Sequence, residues 1–598
     1  MSKPTRPRYE FGPFLLDATE QLLLRDGRPI ALKPKLFDLL LILVENSGHV
    51  LDKNRLMSEV WPDTFVEESS LTVGIFALRK ALGDGRNNHS YIETVPRRGY
   101  RFVANVSEAS NGDVDSVAAK RARLSSNGEE RFEPDAGVRS LAVLPFKYIG
   151  AEAGDEYLGL GLADALITKL TNLRQIRVRP TSAVREYTRA RDITVAGREL
   201  KVDALLDGSI QRARKRIRVT AQLVDGRDGS MLWAENFDEK LADIFSLEDS
   251  LSDQVVRALS LKLTGEERKH LVKRHTESTE AFHAYLKGRY FWNKRTAEGF
   301  KKGIEYCEHA IALDPTYALA YAGLADCYQL LSAFKFRPPR ELIPKAKAAL
   351  LKALQLDDTL AEAHTSLAHL LRREWNWSVA EKEFKRAIEL NPNYATAHHW
   401  YSTYLIMMAR FDEALAEIKM AHELDPLSLA VNRSGGILFY LTRQYDRAIE
   451  QLLETVELEP NFGYTHFVLG LVYAAKGMYD EAIKQYRKTH QTLSGKGLEP
   501  TACLGYIYAL SGRRGEAQKV LDQLRGLSDQ GYELHYHTAL IYLALGDKDQ
   551  AFAWLEQAYN ERDEELGLLK VDPMLDSLRA DPRFVSLLER VGLGPSQG

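Results

Sequence analysis

Hydroxyl, apolar and basic side chains cluster between residues 69 and 101, in a pattern that could bind a polyanion. The residues are Ser69, Ser70, Thr72, Val73, Phe76, Arg79, Lys80, Arg97, Arg98 and Arg101. Hydroxyl groups hydrogen-bond to phosphates and base edges, apolar groups pack on a thymine methyl or a sugar, and lysine and arginine pair with phosphates. The sequence therefore predicts a surface that binds double-stranded DNA.

Three helices and a ribbon are predicted around these residues. The helices are expected over Lys33–Asn46, from Asp52 onward, and over Glu68–Leu82, and a ribbon follows over Tyr91–Phe102. The third helix has an apolar inner stripe at helical spacing, formed by Leu71, Ile75, Leu78 and Leu82. This order of elements is typical of a winged helix-turn-helix, in which one helix enters the major groove and the hairpin reaches the backbone or the minor groove.

Short strands precede the first helix. They are predicted at Arg8–Asp17 and Gln21–Arg25, with a turn at Asp26–Pro29 before the helix begins. Together with the helices and the ribbon, these strands predict an α+β domain over residues 8–106.

The domain resembles the DNA-binding domain of the OmpR/PhoB response-regulator family. The matching segments are Leu51-Asp52-Lys53-Asn54-Arg55-Leu56, Val60-Trp61-Pro62, Leu78-Arg79-Lys80-Ala81-Leu82-Gly83-Asp84, Ile92-Glu93-Thr94-Val95 and Gly99-Tyr100-Arg101-Phe102. The resemblance implies that the third helix reads the major groove and that the wing contacts the minor groove. It also implies that the loop Pro62–Glu67 can contact RNA polymerase.

The layout resembles the CadC/ToxR type, in which the DNA-binding domain comes first, but no membrane span follows here. The family's phosphate-accepting receiver domain is not expected, because the winged helix starts within the first ten residues. Family members often carry basic residues where this helix has Phe76 and Ala77. Control by aspartyl phosphorylation is therefore not implied.

The composition is that of an ordinary soluble protein with several domains. The chain has 598 residues, 45% of them apolar and 27% charged, with a formal net charge of -3, so any DNA affinity must be local. Its three cysteines are far apart, which argues against a disulfide framework. No apolar stretch approaches the ~20 residues of a membrane span, and we expect a cytoplasmic protein.

A polar linker over residues 107–138 and a central α/β domain over 139–270 are predicted next. The segments Leu141-Ala142-Val143-Leu144-Pro145-Phe146 and Leu205-Leu206-Asp207-Gly208-Ser209 resemble the TolB-like α/β domain. Basic residues Arg212–Arg218 favour a solvated hairpin tip over a nucleic-acid patch. Gly159-Leu160-Gly161 favours helix packing over a phosphate loop, because the remaining motif residues are missing.

Helical repeats are predicted over residues 276–598. Asn391-Pro392, Asp425-Pro426 and Glu459-Pro460 recur at a spacing of 34 residues, and this period resembles that of tetratricopeptide repeats. About seven or eight units span Glu280–Ala558, with a capping segment after them. Such all-α solenoids stack helix pairs into a superhelix whose concave surface binds peptides or proteins.

A metal or catalytic site is not expected. His364, His369, His398 and His399 lack cysteine or carboxylate companions at a recognised ligand spacing, so packing roles are favoured. A nucleophile, base and orienting group at suitable spacing do not occur together. We expect a protein that is not an enzyme and that needs no cofactor.

The combined pattern predicts a transcription regulator. A winged helix would bind promoter DNA, and the repeats would receive a protein or peptide signal or drive self-association into a homo-oligomer. The alternative is a protein-protein scaffold that uses the winged helix as a docking module.

Overall fold

The computed structural model describes most of the chain. The described residues are 8–18, 22–25, 28–30, 32, 34–60, 71, 74–75, 78–79, 82, 91–95, 99–109, 138–149, 156–187, 193–213, 216–240, 244–294, 296–333, 339–492, 498–528 and 534–594. The chain divides into two compact units, Met1–Pro134 (unit 1) and Asp135–Gly598 (unit 2).

Unit 1 contains two antiparallel sheets. The strands are β1 (Arg8–Phe11), β2 (Phe14–Asp17), β3 (Leu22–Arg25), β4 (Arg28–Ile30), β5 (Val50–Asp52), β6 (Ile92–Val95), β7 (Gly99–Phe102) and β8 (Ser107–Ala109). One sheet has the order β4-β3-β2-β1-β8 and the other β5-β7-β6. The single strand predicted over Arg8–Asp17 is instead a hairpin, because Gly12 adopts a positive φ of 55° at its turn.

The helices of unit 1 agree with the sequence pattern. Helix α1 spans Pro34–Glu45 and α2 spans Lys53–Val60. The described residues 71, 74, 75, 78, 79 and 82 are helical and are called α3 here. The predicted inner stripe of α3 is confirmed, since its four side chains are at most 2% exposed; they are Leu71, Ile75, Leu78 and Leu82.

Unit 2 begins with a mixed sheet and five helices. The strands are β9 (Ser140–Val143), β10 (Lys147–Ile149), β11 (Arg177–Val178), β12 (Ala204–Ala213), β13 (Arg216–Asp225) and β14 (Met231–Lys240). The helices are α4 (Tyr157–Thr171), α5 (Thr181–Val184), α6 (Ile193–Leu200), α7 (Ile244–Ala258) and α8 (Gly265–Val272). The sheet has the order β11-β9-β12-β13-β14, and β10 also pairs with β12.

The described residues that follow form eight helix pairs. Their bounds are α9 (Thr279–Asn293), α10 (Ala297–Leu313), α11 (Ala318–Ala333), α12 (Pro339–Leu356), α13 (Ala361–Arg373), α14 (Trp377–Leu390), α15 (Ala395–Met407), α16 (Phe411–Leu424), α17 (Leu429–Leu441), α18 (Tyr445–Leu458), α19 (Gly463–Ala475), α20 (Tyr479–Thr492), α21 (Leu498–Leu510), α22 (Arg514–Ser528), α23 (His535–Ala544) and α24 (Lys548–Asn560). The predicted repeat array is confirmed.

The repeat period is visible in the backbone and in the core. The turn inside each later pair contains a residue with a positive φ, between 59° and 90°; these are Trp375, Ala409, Arg443, Gly477, Gly512 and Gly546. The second helix of each of these pairs places a fully buried alanine at its crossing with the first; these are Ala380, Ala414, Ala448, Ala482, Ala517 and Ala551. In each of these pairs, a residue in the left-handed conformation ends the first helix, and a small residue lets the second helix approach it closely. These two requirements explain why the same kinds of residue recur with the repeat.

The C-terminal segment caps the array, as the sequence predicts. It forms two 3-10 helices, Glu564–Leu568 and Pro573–Leu578, and then α25 (Pro582–Val591). The indole Nε1 of Trp377 donates a hydrogen bond of 2.8 Å to the Val591 carbonyl. The cap therefore packs against the turn of an early repeat as well as against its neighbours in sequence.

Candidate nucleic-acid interface

The buried stripe of α3 fixes how this helix sits in unit 1. Two of the ten residues predicted to contact DNA, Arg79 and Arg101, are described by the structure. The others lie outside the described residues; they are Ser69, Ser70, Thr72, Val73, Phe76, Lys80, Arg97 and Arg98. Their contacts with DNA stay predictions from the sequence.

Arg79 lies on α3 and reaches the wing. Its Nε and Nη2 atoms donate hydrogen bonds of 3.1 and 2.8 Å to the backbone carbonyl of Ile92, the first residue of β6. The Ile92 residue is 1% exposed, so its carbonyl is shielded from water. The guanidinium therefore links α3 directly to the wing.

Arg101 lies on β7, directly opposite Glu93 of β6 in the strand register. Its Nη1 atom is 3.5 Å from the Glu93 carboxylate, and both side chains are partly exposed. An exposed ion pair of this kind contributes little to stability and leaves the arginine able to turn toward an anion. The contact with DNA predicted for Arg101 remains compatible with this geometry.

The backbone conformation at position 99 explains why the wing motif begins with a glycine. Its φ is 146°, a conformation that side chains rarely adopt, and a Cβ atom there would lie 1.9 Å from the Leu51 carbonyl oxygen. Because β7 pairs with β5 at this point, only glycine lets the two backbones meet. Glycine at this position is thus required to attach the wing to the helical part of the unit.

An aromatic cluster joins the two sheets of unit 1. Phe11 packs edge-on against Phe102 at 5.1 Å, and Phe14 packs edge-on against Tyr91 at 5.4 Å. Edge-to-face aromatic pairs add about 1 kcal/mol each beyond their buried area. The strands that bear the wing therefore rest on a rigid base.

The basic hairpin of unit 2 is paired within its own sheet. Arg216 and Arg218 each place a guanidinium nitrogen 2.7 Å from the Asp238 carboxylate, which lowers the pKa of Asp238. Residues 214 and 215 lie outside the described residues. The predicted solvated tip is thus favoured over a nucleic-acid patch.

The paired glycines of α4 serve packing, as predicted. A Cβ atom on Gly159 would lie 2.1 Å from the Phe146 carbonyl oxygen, and one on Gly161 would lie 3.1 Å from the Leu286 side chain. Helix α4 therefore closely contacts both the segment between β9 and β10 and the first repeat helix α9.

Three histidines form a ladder along the repeats. In each, Nε2 contacts a backbone carbonyl six residues earlier, and Nδ1 contacts a side chain nineteen residues later. The sets are His364 with Asp358 and Glu383, His398 with Pro392 and Glu417, and His466 with Pro460 and Gln485. Each histidine thus fastens the two helices of one pair to each other and to the turn before the pair. They are one and two repeat periods of 34 residues apart, and this spacing in the sequence could have revealed their role.

The side chain that contacts Nδ1 determines whether the pKa of these histidines is raised or lowered, as His364 and His466 illustrate. Burial alone would lower the pKa of His364, but the hydrogen bonds to Glu383 and to the Asp358 carbonyl raise it. For His466, whose partner is the neutral Gln485, burial dominates and lowers the pKa.

The other two histidines singled out in the sequence, His369 and His399, also contact neighbouring side chains. His399 contacts the Ser434 hydroxyl at 2.9 Å, and His369 lies against Trp400 with ring centres 4.4 Å apart. Within the described ranges, histidine, cysteine, aspartate and glutamate side chains do not converge in threes to form a metal site.

Arg179 joins the α/β part of unit 2 to the repeats. It is 5% exposed and donates to the carbonyls of Leu200 and Lys201 at 2.9 and 2.7 Å. It also donates to the carbonyls of Glu423 and Leu424, at the end of α16, at 2.9 and 2.7 Å. Sequence reasoning missed this residue because two of its four partners, Glu423 and Leu424, lie more than 240 residues away.

Asn393 makes the reciprocal contact. This residue lies in the turn between α14 and α15, and its Nδ2 atom donates to the carbonyls of Thr171, Leu173 and Ile176, at the end of α4. In the next such turn, burial raises the pKa of Asp425 to about 6. The turns between repeats therefore hold the α/β part in place.

A pocket lies where α4 and α7 face the first repeats. Burial raises the pKa of two carboxyl groups in its lining, Glu248 and Glu362. Glu248 lies 3.5 Å from Lys169, and Asp164 pairs with Arg289 at 2.8 Å. The first contact joins α4 to α7, and the second binds the α/β part to the first repeat helix α9.

Comparison with protein families adds to this geometry. Residues 27–102 match the family model described as transcriptional regulatory protein, C terminal. The chain carries an OmpR/PhoB-type winged helix. After this winged helix, residues 137–254 match a HilA/YgeH-like transcriptional regulator second domain, and 436–491 and 504–565 match a tetratricopeptide repeat. The order of fold classes predicted from the sequence is confirmed, and the TolB-like resemblance stays a prediction.

Individual relatives share parts of this architecture. The transcriptional regulator HilA of Salmonella typhimurium is 24% identical over 386 residues, 64% of each chain. A putative adenylate cyclase 3 of Rhizobium meliloti is 31% identical over 247 residues, 41% of this chain and 42% of that protein. The solved DNA-binding domain of Escherichia coli CadC is 33% identical, covering 18% of this chain and all of that one, with a TM-score of 0.17.

The chain thus spans 42% and 64% of the lengths of these two curated relatives. Among the helices that the structure describes, none combines the length and the apolar character needed to cross a bilayer.

Proposed function

We propose that this chain is a cytoplasmic transcription regulator that binds promoter DNA through its winged helix. The observation that carries the proposal is the OmpR/PhoB-type winged helix over residues 27–102. Its third helix has a completely buried inner stripe, and its wing is fastened to that helix by Arg79. The likeness to relatives named as transcriptional regulators supports the same assignment.

The DNA-binding surface in this proposal combines α3 with the wing. Thr72, Val73 and Phe76 meet base edges or sugars in the major groove, and Ser69, Ser70 and Lys80 meet the adjoining backbone. The basic residues of the wing contact phosphates or the minor groove. The loop at Pro62–Glu67 contacts RNA polymerase.

The repeats in this proposal receive a protein or peptide signal, or pair two copies of the chain. Helix α4 already covers α9, where the Asp164 carboxylate accepts a hydrogen bond of 2.8 Å from Arg289. The chain itself therefore already covers parts of the first repeat and of the turns after α14 and α16, and a partner must use other surfaces of the array. The surface available to a partner is therefore smaller than the whole repeat array, to which the sequence assigned partner binding.

The test is the salt dependence of DNA binding. Full-length protein and the unit 1 fragment, residues 1–134, would be titrated with duplex DNA of mixed genomic sequence between about 50 and 200 mM salt. Unit 1 has a hydrophobic core of its own, so the fragment is expected to fold. A DNA-reading unit should lose affinity steeply as salt rises, because each neutralised phosphate releases counterions. Absence of salt-dependent affinity in both proteins would favour the scaffold.

A further inference from the structure

We infer that Arg79 is a positioning residue that sets the geometry between α3 and the wing, and that it is not a phosphate contact. This inference rests on the proposed DNA-binding function of unit 1. The residue type of Arg79 and its position in the sequence predicted a direct contact with DNA.

The contacts of the guanidinium support this role. Two of its nitrogen atoms, Nε and Nη2, converge on one acceptor, the carbonyl oxygen of Ile92, at 3.1 and 2.8 Å. A forked interaction of this kind fixes the plane of the guanidinium, because both N–H bonds must point at the same atom. Turning the group toward a phosphate would break both hydrogen bonds.

The acceptor makes those bonds costly to break. Ile92 is 1% exposed, and its residue pairs with Phe102 in the wing sheet. Two hydrogen bonds to a carbonyl that is shielded from water cost more to break than the same bonds at an exposed site. The arginine is therefore held against β6 by its two hydrogen bonds.

The neighbours of Arg79 on α3 strengthen the argument. Leu78 is fully buried and Ile75 is 1% exposed, so the helix is clamped to the core immediately before the arginine. On the other side, Gly99 allows β7 to meet the Leu51 backbone, which anchors the opposite strand of the wing. Arg79 closes this arrangement by joining the helix to β6.

A fixed angle matters because the helix and the wing must reach neighbouring grooves of one duplex together. A binding site whose parts are held in place loses less conformational entropy on binding than one whose parts move independently. Loss of the Arg79 link should therefore weaken DNA binding without removing a phosphate contact.

Substitution of Arg79 separates the two roles. The variants are Arg79→Lys and Arg79→Gln, with Arg55→Gln as a matched control, since Arg55 pairs with Glu59 on the exposed face of α2. DNA affinity of the full-length protein would be measured over a salt series, with amide hydrogen exchange at β6 as a structural readout. The duplex would be the mixed genomic DNA used to test the proposed function.

The positioning role predicts that Arg79→Lys loses about tenfold in affinity despite keeping its charge, because an ammonium cannot form the fork. The slope of log affinity against log salt should stay as in the wild type, and exchange at Ile92–Val95 should accelerate. Arg55→Gln should change neither quantity.

The inference is wrong if Arg79→Lys binds as the wild type does and Arg79→Gln reduces the salt slope by about 0.9, the value of one lost phosphate contact. If Arg79→Gln does not fold, the Arg79→Lys comparison still decides between the two roles. A wild-type protein that shows no salt-dependent binding would instead overturn the proposed function, so the two failures are distinguishable.

Discussion

The two units use polar side chains in different ways. In unit 2, several polar side chains that could have bound a ligand instead contact the chain itself. Arg179 caps two segments, Asn393 caps a third, and His364 bridges a turn and a carboxylate. In unit 1, the sequence assigns ten residues to DNA contacts, and the two of them that the structure describes, Arg79 and Arg101, contact the backbone of β6 and an exposed carboxylate. The comparison teaches that a polar residue at the repeat spacing, such as His364, can be assigned to the fold from the sequence, whereas the structural role of a single residue such as Arg179 appears only in the contacts.

The largest effect is expected from Arg179→Ala. Removing the guanidinium leaves four carbonyls at the joint without their donor, and the free energy of unfolding of unit 2 should fall by about 4 kcal/mol. Chemical denaturation would measure the loss. The neighbouring Arg177→Ala is the control, because its ion pair with Glu423 is half exposed and should be worth less than about 1 kcal/mol. Equal losses of unfolding free energy in the two variants would contradict the structural role assigned to Arg179.

The triple substitution of Lys80, Arg97 and Arg98 by alanine should act on binding and leave stability unchanged. If each side chain contacts one phosphate, DNA affinity should fall by about a hundredfold and the salt slope should become shallower by about 2.7. Anisotropy titrations with duplex DNA, alongside a thermal melt, would measure both. A large drop in melting temperature with unchanged DNA affinity would place these residues with the structural ones.

Substitution of a ladder histidine should have a smaller effect. His398→Ala removes the contacts to the Pro392 carbonyl and to Glu417 and should cost about 2 kcal/mol of unfolding free energy. His398→Asn should cost about half as much, because Asn432, one repeat later, donates to the Pro426 carbonyl in the same way. Denaturation of the two variants side by side would measure the difference, and an Asn variant as unstable as the Ala variant would argue against a shared role.

The smallest effect concerns pH. The pKa of His364 is raised by Glu383, so the stabilisation from this pair is fully present below the unfolded pKa of about 6.5 and is lost as the pH rises through the folded value. Glu383→Gln should lower the pKa of His364 and remove up to about 1 kcal/mol of stability near pH 5.5, with no change near pH 8. An NMR titration of the His364 ring would follow the shift. An unchanged pKa would show that the carboxylate is not its cause.

The sequence predicted the elements of unit 1 better than their contacts. The spacing of Leu71, Ile75, Leu78 and Leu82 indicates a buried helix face, and the structure buries all four. The partner of Arg79 could not be predicted, because a backbone carbonyl carries no signal in the sequence. The need for Gly99 likewise depends on how close the Leu51 backbone comes.

In unit 2, the period of 34 residues was sufficient to predict the helix pairs. The same period also relates His364, His398 and His466, and it would have identified them as structural had it been applied to polar residues. The joint at Arg179 was beyond reach, since its partner carbonyls belong to a helix end far along the chain. Side chains that bind backbone across a long separation are the part of a fold that patterns do not encode.

The most direct test of the central claim is selection of bound genomic DNA fragments, sequenced after capture by the full-length protein and by residues 1–134. The account predicts one shared, enriched motif, read by α3 and the wing of unit 1. A motif seen with the fragment alone would show that unit 2 restricts access to DNA. Lack of enrichment with either protein would contradict the claim that unit 1 directs its polar residues toward DNA.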